Sequence, residues 1–493
     1  MKRLLSAILL ASMLMGLTAC NGGEGADTTD ASATETSETT ELTADIPEDA
    51  FYENYTFTIL ARGGKDSPTN WANDDLVVSD EEARGDVVYK AVYDRNLRVS
   101  ELLGIEIVQE EVIGSSKLRT QAQNIIMSDE DVYDVIMPSI TDAATMAQDG
   151  YFVPLSELPY MDLSKPWYDQ RCIEQLAING DNYFFFSDIT IRNLDAIWIY
   201  VFNKQLIDQF GLEDPYDLVE DGTWTMDAMT EMCKAATVPD GDNDFDKEDK
   251  WGLVGHDYVI TASYVGSGER IATANSDGEI SLTMNNERIY DVIEAVNGLR
   301  NYWIRYALTS KKYVDAKPFG FEPSDNYAEL TSVFTEGNAL FMGECMAVIE
   351  DMRSSNVEFG IVPSPKLNEE QDEYYSAVNF IAACMCIPKT ARDLERTSII
   401  IEALAAESHD TLIPAYYETA IKGKYTRDIM SSDMLDLIRD SVSYDLGIYY
   451  NWGELSDRFC ALVYNGGDGF ASMYASNEQA AQGALDSFLS SLE

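Results

Sequence analysis

Trp71 sits in the run Arg62–Asp75, a stretch rich in Gly, Asp and Asn that follows the apolar-alternating segment Tyr55–Leu60. An indole in so polar a loop has little core to join, and an aromatic face covers the apolar C–H side of a sugar ring. Asn70, Asn73, Asp74 and Asp75 around it carry the amides and carboxylates that satisfy hydroxyls. The alternative is a loop tryptophan tucked against its own lobe. Ser139 and Asp142 follow the short apolar run Tyr133–Met137, where a helix N-terminus offers N–H groups. A plain N-cap role accounts for them equally well. Trp452, with Asn451 in "YYNWGE", and Arg353, just ahead of "FGIVP", complete the candidate ligand-binding set. A guanidinium at Arg353 forks to hydroxyls or a carboxylate, although a surface salt bridge is the commoner fate. Trp224 and Trp198 read as structural.

The acids Asp240, Asp242, Asp244, Asp246 and Glu248 fall at positions 1, 3, 5, 7 and 9 of a calcium-loop spacing. Phe245 stands at position 6 instead of Gly, and Trp251 at position 12 instead of Glu. Two readings stay open: a structural Ca²⁺ site, or a merely acidic turn. No other metal or cofactor is called for. His256 and His409 are the two histidines, and no HExxH is present. Beyond Cys20, the cysteines Cys172, Cys233, Cys345, Cys384, Cys386 and Cys460 are scattered and read as small buried hydrophobes. The sequence lacks a GxSxG elbow, a P-loop and a dinucleotide-binding glycine fingerprint. A surface glycoside hydrolase, with two carboxylates across a cleft, is the enzymatic alternative. Among 86 acids some such pair is always available, so counting decides nothing and no catalytic residue is assigned.

The 493 residues carry 34 Lys+Arg against 86 Asp+Glu, a net charge of −52. Nucleic acid is excluded as a partner, because phosphate backbones are gripped by Lys and Arg stripes that are missing here. Lys2 and Arg3 precede the apolar run Leu4–Leu17, and Leu17-Thr18-Ala19-Cys20 follows. This order resembles a bacterial lipoprotein signal, so residues 1–19 are expected to be removed and Cys20 acylated to anchor the chain in a membrane. Residues 21–50 hold nine acids, no Lys or Arg and many Ser and Thr, and are expected to form a solvated tether. Residues 51–493 retain 77 acids and 32 bases, net −45.

The elements that must position these side chains alternate. A strand is expected at Tyr55–Leu60 and a helix from a capping box at Ser79–Glu82 to Leu103, with Val88, Val92 and Val99 on one face and Gly104 as its stop. Strand Ile105–Val112, helix Lys117–Met127, strand Tyr133–Met137 and helix Thr141–Gln148 follow. Strands are also read at Asp181–Ser187, Ala196–Phe202 and Phe359–Val362, with buried-strand character at Leu194–Phe202 and Phe380–Pro388. Further helices are read at Lys204–Phe210, Thr225–Thr237, Asn286–Asn301, Ser324–Glu336, Asp393–Ala406 and Ser432–Ser441. The alternation predicts an α/β fold with a largely parallel sheet, in which ligands bind beyond the carboxyl ends of strands.

The ordered set "LLGIEIVQEE", "YDVIMPS", "GYFVPLSEL", "GDNYFFFSDI", "IWIYVFNKQLIDQFGL", "GTWTMDAM", "VFTEGNALF" and "EFGIVPSPK" resembles the family 1 extracellular solute-binding proteins of ABC importers, carbohydrate-binding branch, over roughly residues 51–420. The resemblance implies a two-lobed, type II periplasmic-binding-protein-like fold with discontinuous lobes. One lobe would comprise about 51–185 plus 375–425, the other about 190–372 plus 430–493, joined by a hinge of two or three crossing segments. It also implies a small polar ligand, a sugar or oligosaccharide, captured by lobe closure and passed to ABC permease subunits, with no enzyme activity.

Overall fold

The computed structural model describes residues 44–64, 71–242, 246–306, 326–352, 355–417 and 429–492. Leu42–Glu493 forms one compact unit. Its first sheet contains β1 (Tyr55–Arg62), β2 (Ile105–Val112) and β3 (Val135–Ile136), in the order β2-β1-β3 and all parallel. The remaining strands are β4 (Trp198–Asn203), β5 (Trp251–His256), a hairpin of β6 (Ala272–Ala274) and β7 (Ile280–Leu282), β8 (Trp303–Tyr306), β9 (Ala339–Cys345), β10 (Phe359–Val362), β11 (Ser376–Ala377) and β12 (Val442–Ser443). Five of them make the second sheet, in the order β10-β4-β9-β5-β8. The parallel arrangement expected from the alternation over residues 55–150 is that of the first sheet, and the second is mixed. β4 runs antiparallel to both β9 and β10, while β5 is parallel to β8 and β9.

Local sequence explains the first sheet's shape. Phe57, Ile59 and Ala61 point to one face and join Ile400, Ala403 and Leu404 of the helix Leu394–Pro414 in a buried cluster. Leu60 points to the other face, toward Leu118, Ala122 and Val92. This period-two alternation, with helices on both faces, is that of a doubly covered parallel sheet. The capping box at Ser79 is present, with Glu82 reaching back to the Ser79 N–H, but it opens only the one-turn helix Asp80–Ala83. The chain breaks at Arg84–Gly85, and Asp86 caps a new helix, Val87–Leu103. Val88, Val92 and Val99 are buried on that helix, and Gly104 closes it at φ +65°, a left-handed conformation that favours glycine.

Two expected strands are something else. Asp181–Ser187 and Phe380–Pro388 form no ladders. They make single bridges, Phe185 with Met385, Ile136 with Cys386, Ser139 with Ala383 and Phe152 with Pro388, at the edge of the first sheet. The same two stretches continue to the second sheet, where Ile197 bridges Val378 and the Met346 N–H donates to the Ile197 carbonyl. Residues 185–197 and 378–386 are therefore two antiparallel segments that pass from one sheet to the other. Leu194 accordingly lies in a short helix, Arg192–Asp195, and not in β4. Helix Leu394–Pro414 runs eight residues past the expected Ala406. Among the described residues, no helix is long and apolar enough to cross a membrane.

Candidate functional site

The carboxyl ends of β1 and β3 deliver Arg62 and Pro138-Ser139 to the place where the two segments cross. The second sheet offers the matching edge. β4 starts there with Trp198, and β5 and β9 end there with His256 and Cys345, as their register requires. Tyr258, just past β5, packs its ring 5.7 Å from Phe380 and donates its hydroxyl to the Val378 carbonyl at 2.6 Å. Phe380 and Ile381, on the crossing segment, keep partial exposure, as do Trp71, Thr141 and Asp142 on the first-sheet side. This junction lies beyond the carboxyl ends of parallel strands, where ligands bind in open α/β sheets.

Ion pairs organise the junction. Arg192, in the crossing segment, bonds both Asp74 and Asp195. Asp74 also accepts the Tyr89 hydroxyl at 2.8 Å, and Asp195 accepts the Tyr416 hydroxyl. Burial opposes ionisation of Asp74, but Arg192 outweighs it and holds the carboxyl below the ordinary aspartate range. Asp75 is fully buried, and burial pushes its pKa up even though it accepts the Thr190 hydroxyl at 2.7 Å and the Ile191 N–H at 2.6 Å.

Arg62 and Asn73 are different. Arg62 is 4% exposed, and its Nη2 donates to the Ile381 carbonyl at 2.7 Å, while Nε and Nη1 have no partner. Burial lowers its pKa to about 10, which leaves it charged at neutral pH. Asn73 is fully buried, and both its side-chain oxygen and its nitrogen lack a partner. Asp75 Oδ1 and Arg192 Nε beside them also lack a protein partner, so these groups are open to bonds from water or from a polar ligand at the junction.

The structure distributes the sequence-derived candidates unevenly. Asp74 pairs with Arg192 and the Asn73 N–H donates to the Arg62 carbonyl, whereas Trp71, half-buried, packs against the main apolar cluster, in line with the reading of a loop tryptophan tucked against its own lobe. Ser139 does serve as an N-cap, its hydroxyl accepting the Asp142 N–H at 3.3 Å, and Asp142 pairs with Arg119 at 2.8 Å. Both stand at the junction, with their polar groups already engaged. Trp452 corrects its reading as a cleft residue. It is 2% exposed and stacked on Tyr450 at 5.1 Å and 15°, with Phe488 at 6.5 Å, so its ring belongs to the core. Arg353, Asn70 and Cys20 lie outside the described residues. Sequence reasoning passed over Arg62, Arg192 and Phe380. The signal for Arg62 was its place at the end of the first strand, whereas nothing in the chain order brings Arg192 and Phe380 to Arg62.

Asp244 of the acidic run also lies outside the described residues. The rest of that loop is tied to itself. Asp249, 1% exposed, accepts the N–H groups of Asp240 and Asp246 at 2.7 and 2.6 Å. Asp240 accepts from the Asp242 N–H and Asp246 from the Glu248 N–H. Among the described residues no three His, Cys, Asp or Glu side chains converge as metal ligands.

No protein-family profile matches this sequence, and no curated protein sequence does. Solved structures match over nearly their whole length. The GacH receptor of Streptomyces glaucescens GLA.O, determined unliganded and with acarbose and an acarbose homolog, superposes with a TM-score of 0.54 at 13% identity, covering 88% of this chain and 99% of its own. An ABC transporter solute-binding protein from Agrobacterium radiobacter K84 in complex with ribitol gives 0.51 at 14% identity, covering 88% and 98%. Apo RafE from Streptococcus pneumoniae gives 0.51 at 15% identity, covering 89% and 97%. At such identities the likeness establishes architecture: this chain has the two-lobed α/β fold of ABC-transporter solute-binding proteins.

Proposed function

We propose that the chain is a solute-binding receptor that captures a small polar ligand, a sugar or oligosaccharide, at the junction of its lobes and delivers it to the permease subunits of an ABC importer. The observation that carries this reading is the pair of buried side chains, Arg62 and Asn73, whose polar atoms other than Arg62 Nη2 stand without a protein partner where the carboxyl ends of the strands meet the crossing segments. The half-exposed rings of Trp71 and Phe380 beside them supply apolar faces for a sugar ring. The solved proteins of the same fold include receptors complexed with acarbose and with ribitol. The run Lys2–Cys20 supports acylation at Cys20, with the chain held on the outer side of the cell membrane. Binding without turnover is the activity.

A thermal-shift screen of the full chain against mono- and oligosaccharides, amino acids and peptides tests this, with product analysis of the same wells. A ligand at 100 times its Kd adds about 2.7 kcal/mol of stability. One saccharide class should raise the melting temperature and be recovered intact. Cleaved sugar, or stabilisation by amino acids or peptides alone, would overturn the reading.

A further inference from the structure

Consecutive residues of the loop after β1 are fastened to consecutive residues of the first crossing segment. Asp74 pairs with Arg192. Asp75 Oδ2 accepts both the Thr190 hydroxyl at 2.7 Å and the Ile191 N–H at 2.6 Å. Arg95 joins the next pair: its Nη2 donates to the Leu76 carbonyl at 3.0 Å and its Nη1 to the Ile189 carbonyl at 2.6 Å. The links run antiparallel, 74 to 192, 75 to 190 and 191, 76 to 189. Among the described residues no backbone hydrogen bond joins the two stretches, so side chains alone hold them. Asp75 is fully buried and Arg95 is 1% exposed, and bonds shielded from water in this way are strong. Past Arg192 the segment passes to the second sheet: the Asp195 and Ile197 carbonyls accept the N–H groups of Ala347 and Met346.

We propose that Asp75 and Arg95 are positioning residues that make the loop 71–76 and the crossing residues 189–192 one body, so that a ligand captured on the loop displaces the crossing segment with it. The proposal rests on the receptor reading above and adds the link between its site and its lobes. Surface loops ordinarily open and close independently of their neighbours. This one cannot shift at residues 74–76 without carrying residues 189–192 along. Coupling between a site and a distant element needs such a chain of contacts, and here it is three links long. The chemistry of the link is a shared acceptor at Asp75 and a forked donor at Arg95. An amide oxygen can replace the first, since both bonds go to one oxygen, whereas an apolar side chain can replace neither.

Hydrogen–deuterium exchange of the full chain, with and without the saccharide that the thermal-shift screen selects, tests the proposal on wild type, Asp75→Asn, Asp75→Ala and Arg95→Met. In wild type, peptides covering 71–76 and 189–192 should exchange at one common rate and gain protection together on binding. Asp75→Asn keeps the acceptor oxygen and should behave as wild type. Asp75→Ala and Arg95→Met should speed exchange in 189–192 roughly 10-fold, the worth of one buried hydrogen bond. In both, the saccharide should protect 71–76 and leave 189–192 unchanged, while the β1 peptide 55–62 keeps its wild-type protection. A merely structural role would loosen β1 as well and would not be rescued by Asp75→Asn. If Asp75→Ala and Arg95→Met fail to fold, as judged by circular dichroism melts, the wild-type comparison decides. Protection of 71–76 without 189–192 in wild type, or joint protection that survives Asp75→Ala and Arg95→Met, overturns the coupling and leaves the receptor reading standing. Binding of no saccharide at all overturns both.

Discussion

Arg192→Met should destabilise the protein in a way that depends on pH. Arg192 is the shared cation of Asp74 and Asp195, with side-chain exposures of 19%, 16% and 9%. Methionine keeps the aliphatic volume and removes the charge, which leaves two largely buried carboxylates facing each other's field. Breaking a buried pair costs about 3–5 kcal/mol, and the residual exposure puts this site near about 3 kcal/mol at pH 7. The native pKa of Asp74 lies below its unfolded value, so the pair's contribution is fully present above the ordinary aspartate pKa and is lost as pH falls through the depressed native value. In the variant, burial is opposed only by the Tyr89 hydroxyl and a backbone bond, so the Asp74 pKa rises from its depressed native value and the carboxyl picks up its proton at a higher pH than in the wild type. The difference between wild type and variant should therefore shrink toward roughly 1 kcal/mol near pH 4, the residue of lost hydrogen bonds. Urea titrations at pH 7, 5.5 and 4 measure it. A difference that stays constant with pH, or that never exceeds about 1 kcal/mol, refutes the charge account of the junction.

The two tryptophans should separate binding from stability. Trp452→Ala removes a stacked core ring and should cost about 3–5 kcal/mol in urea unfolding, whereas Trp71→Ala, at a half-buried ring on the rim of the core, should cost clearly less and weaken saccharide affinity in calorimetry. His409 Nδ1–H donates to the Asp188 carboxylate at 2.6 Å, and that bond raises the His409 pKa. Its stabilising effect is then fully present below the unfolded histidine pKa and lost as pH rises through the raised native value. With two histidines in the chain, the imidazole proton resonances report this directly, and Asp188→Asn should bring one midpoint down. Asp249→Ala should cost about 2 kcal/mol by orphaning two loop N–H groups. EDTA should leave the melting temperature of the wild type unchanged, and a fall on chelation would show that a cation holds the acidic loop.

Where local patterning settles an element, the chain could be read directly. Ile105–Val112, Lys204–Phe210 and Phe359–Val362 have the expected bounds, because each is framed by its own turn or capping signal. Gly104 and Thr225 punctuate helices as their types suggest. The strands β5 and β9 went unread because glycines interrupt them. Gly343 is needed where a Cβ would come within 3.0 Å of the Tyr200 ring, and Gly252 where one would meet the Cys233 backbone at 2.4 Å. Those demands come from neighbours distant in the chain. Phe380–Pro388 is as apolar as a strand because most of it is buried against the edge of the first sheet, and apolar runs alone do not tell a ladder strand from a crossing segment. The site was half legible for the same reason. Trp71, Asn73 and Asp74 follow a strand end, a position that sequence marks, while Arg192 and Phe380 reach the junction only through the pairing of residues nearly 200 apart. Trp452 misled because an indole flanked by Asn and Gly reads as a loop residue, although Tyr450 and Phe488 enclose it.

Hydrogen–deuterium exchange with and without the stabilising saccharide tests the central claim most directly. Protection should concentrate in peptides covering residues 60–64, 71–76, 139–142, 190–195 and 379–381, where the strand ends meet the crossing segments. Protection confined to another surface would contradict the account. One such surface is the dent of about 510 Å³ beside helix Ser115–Met127, lined by Lys117, Gln121 and Asn124.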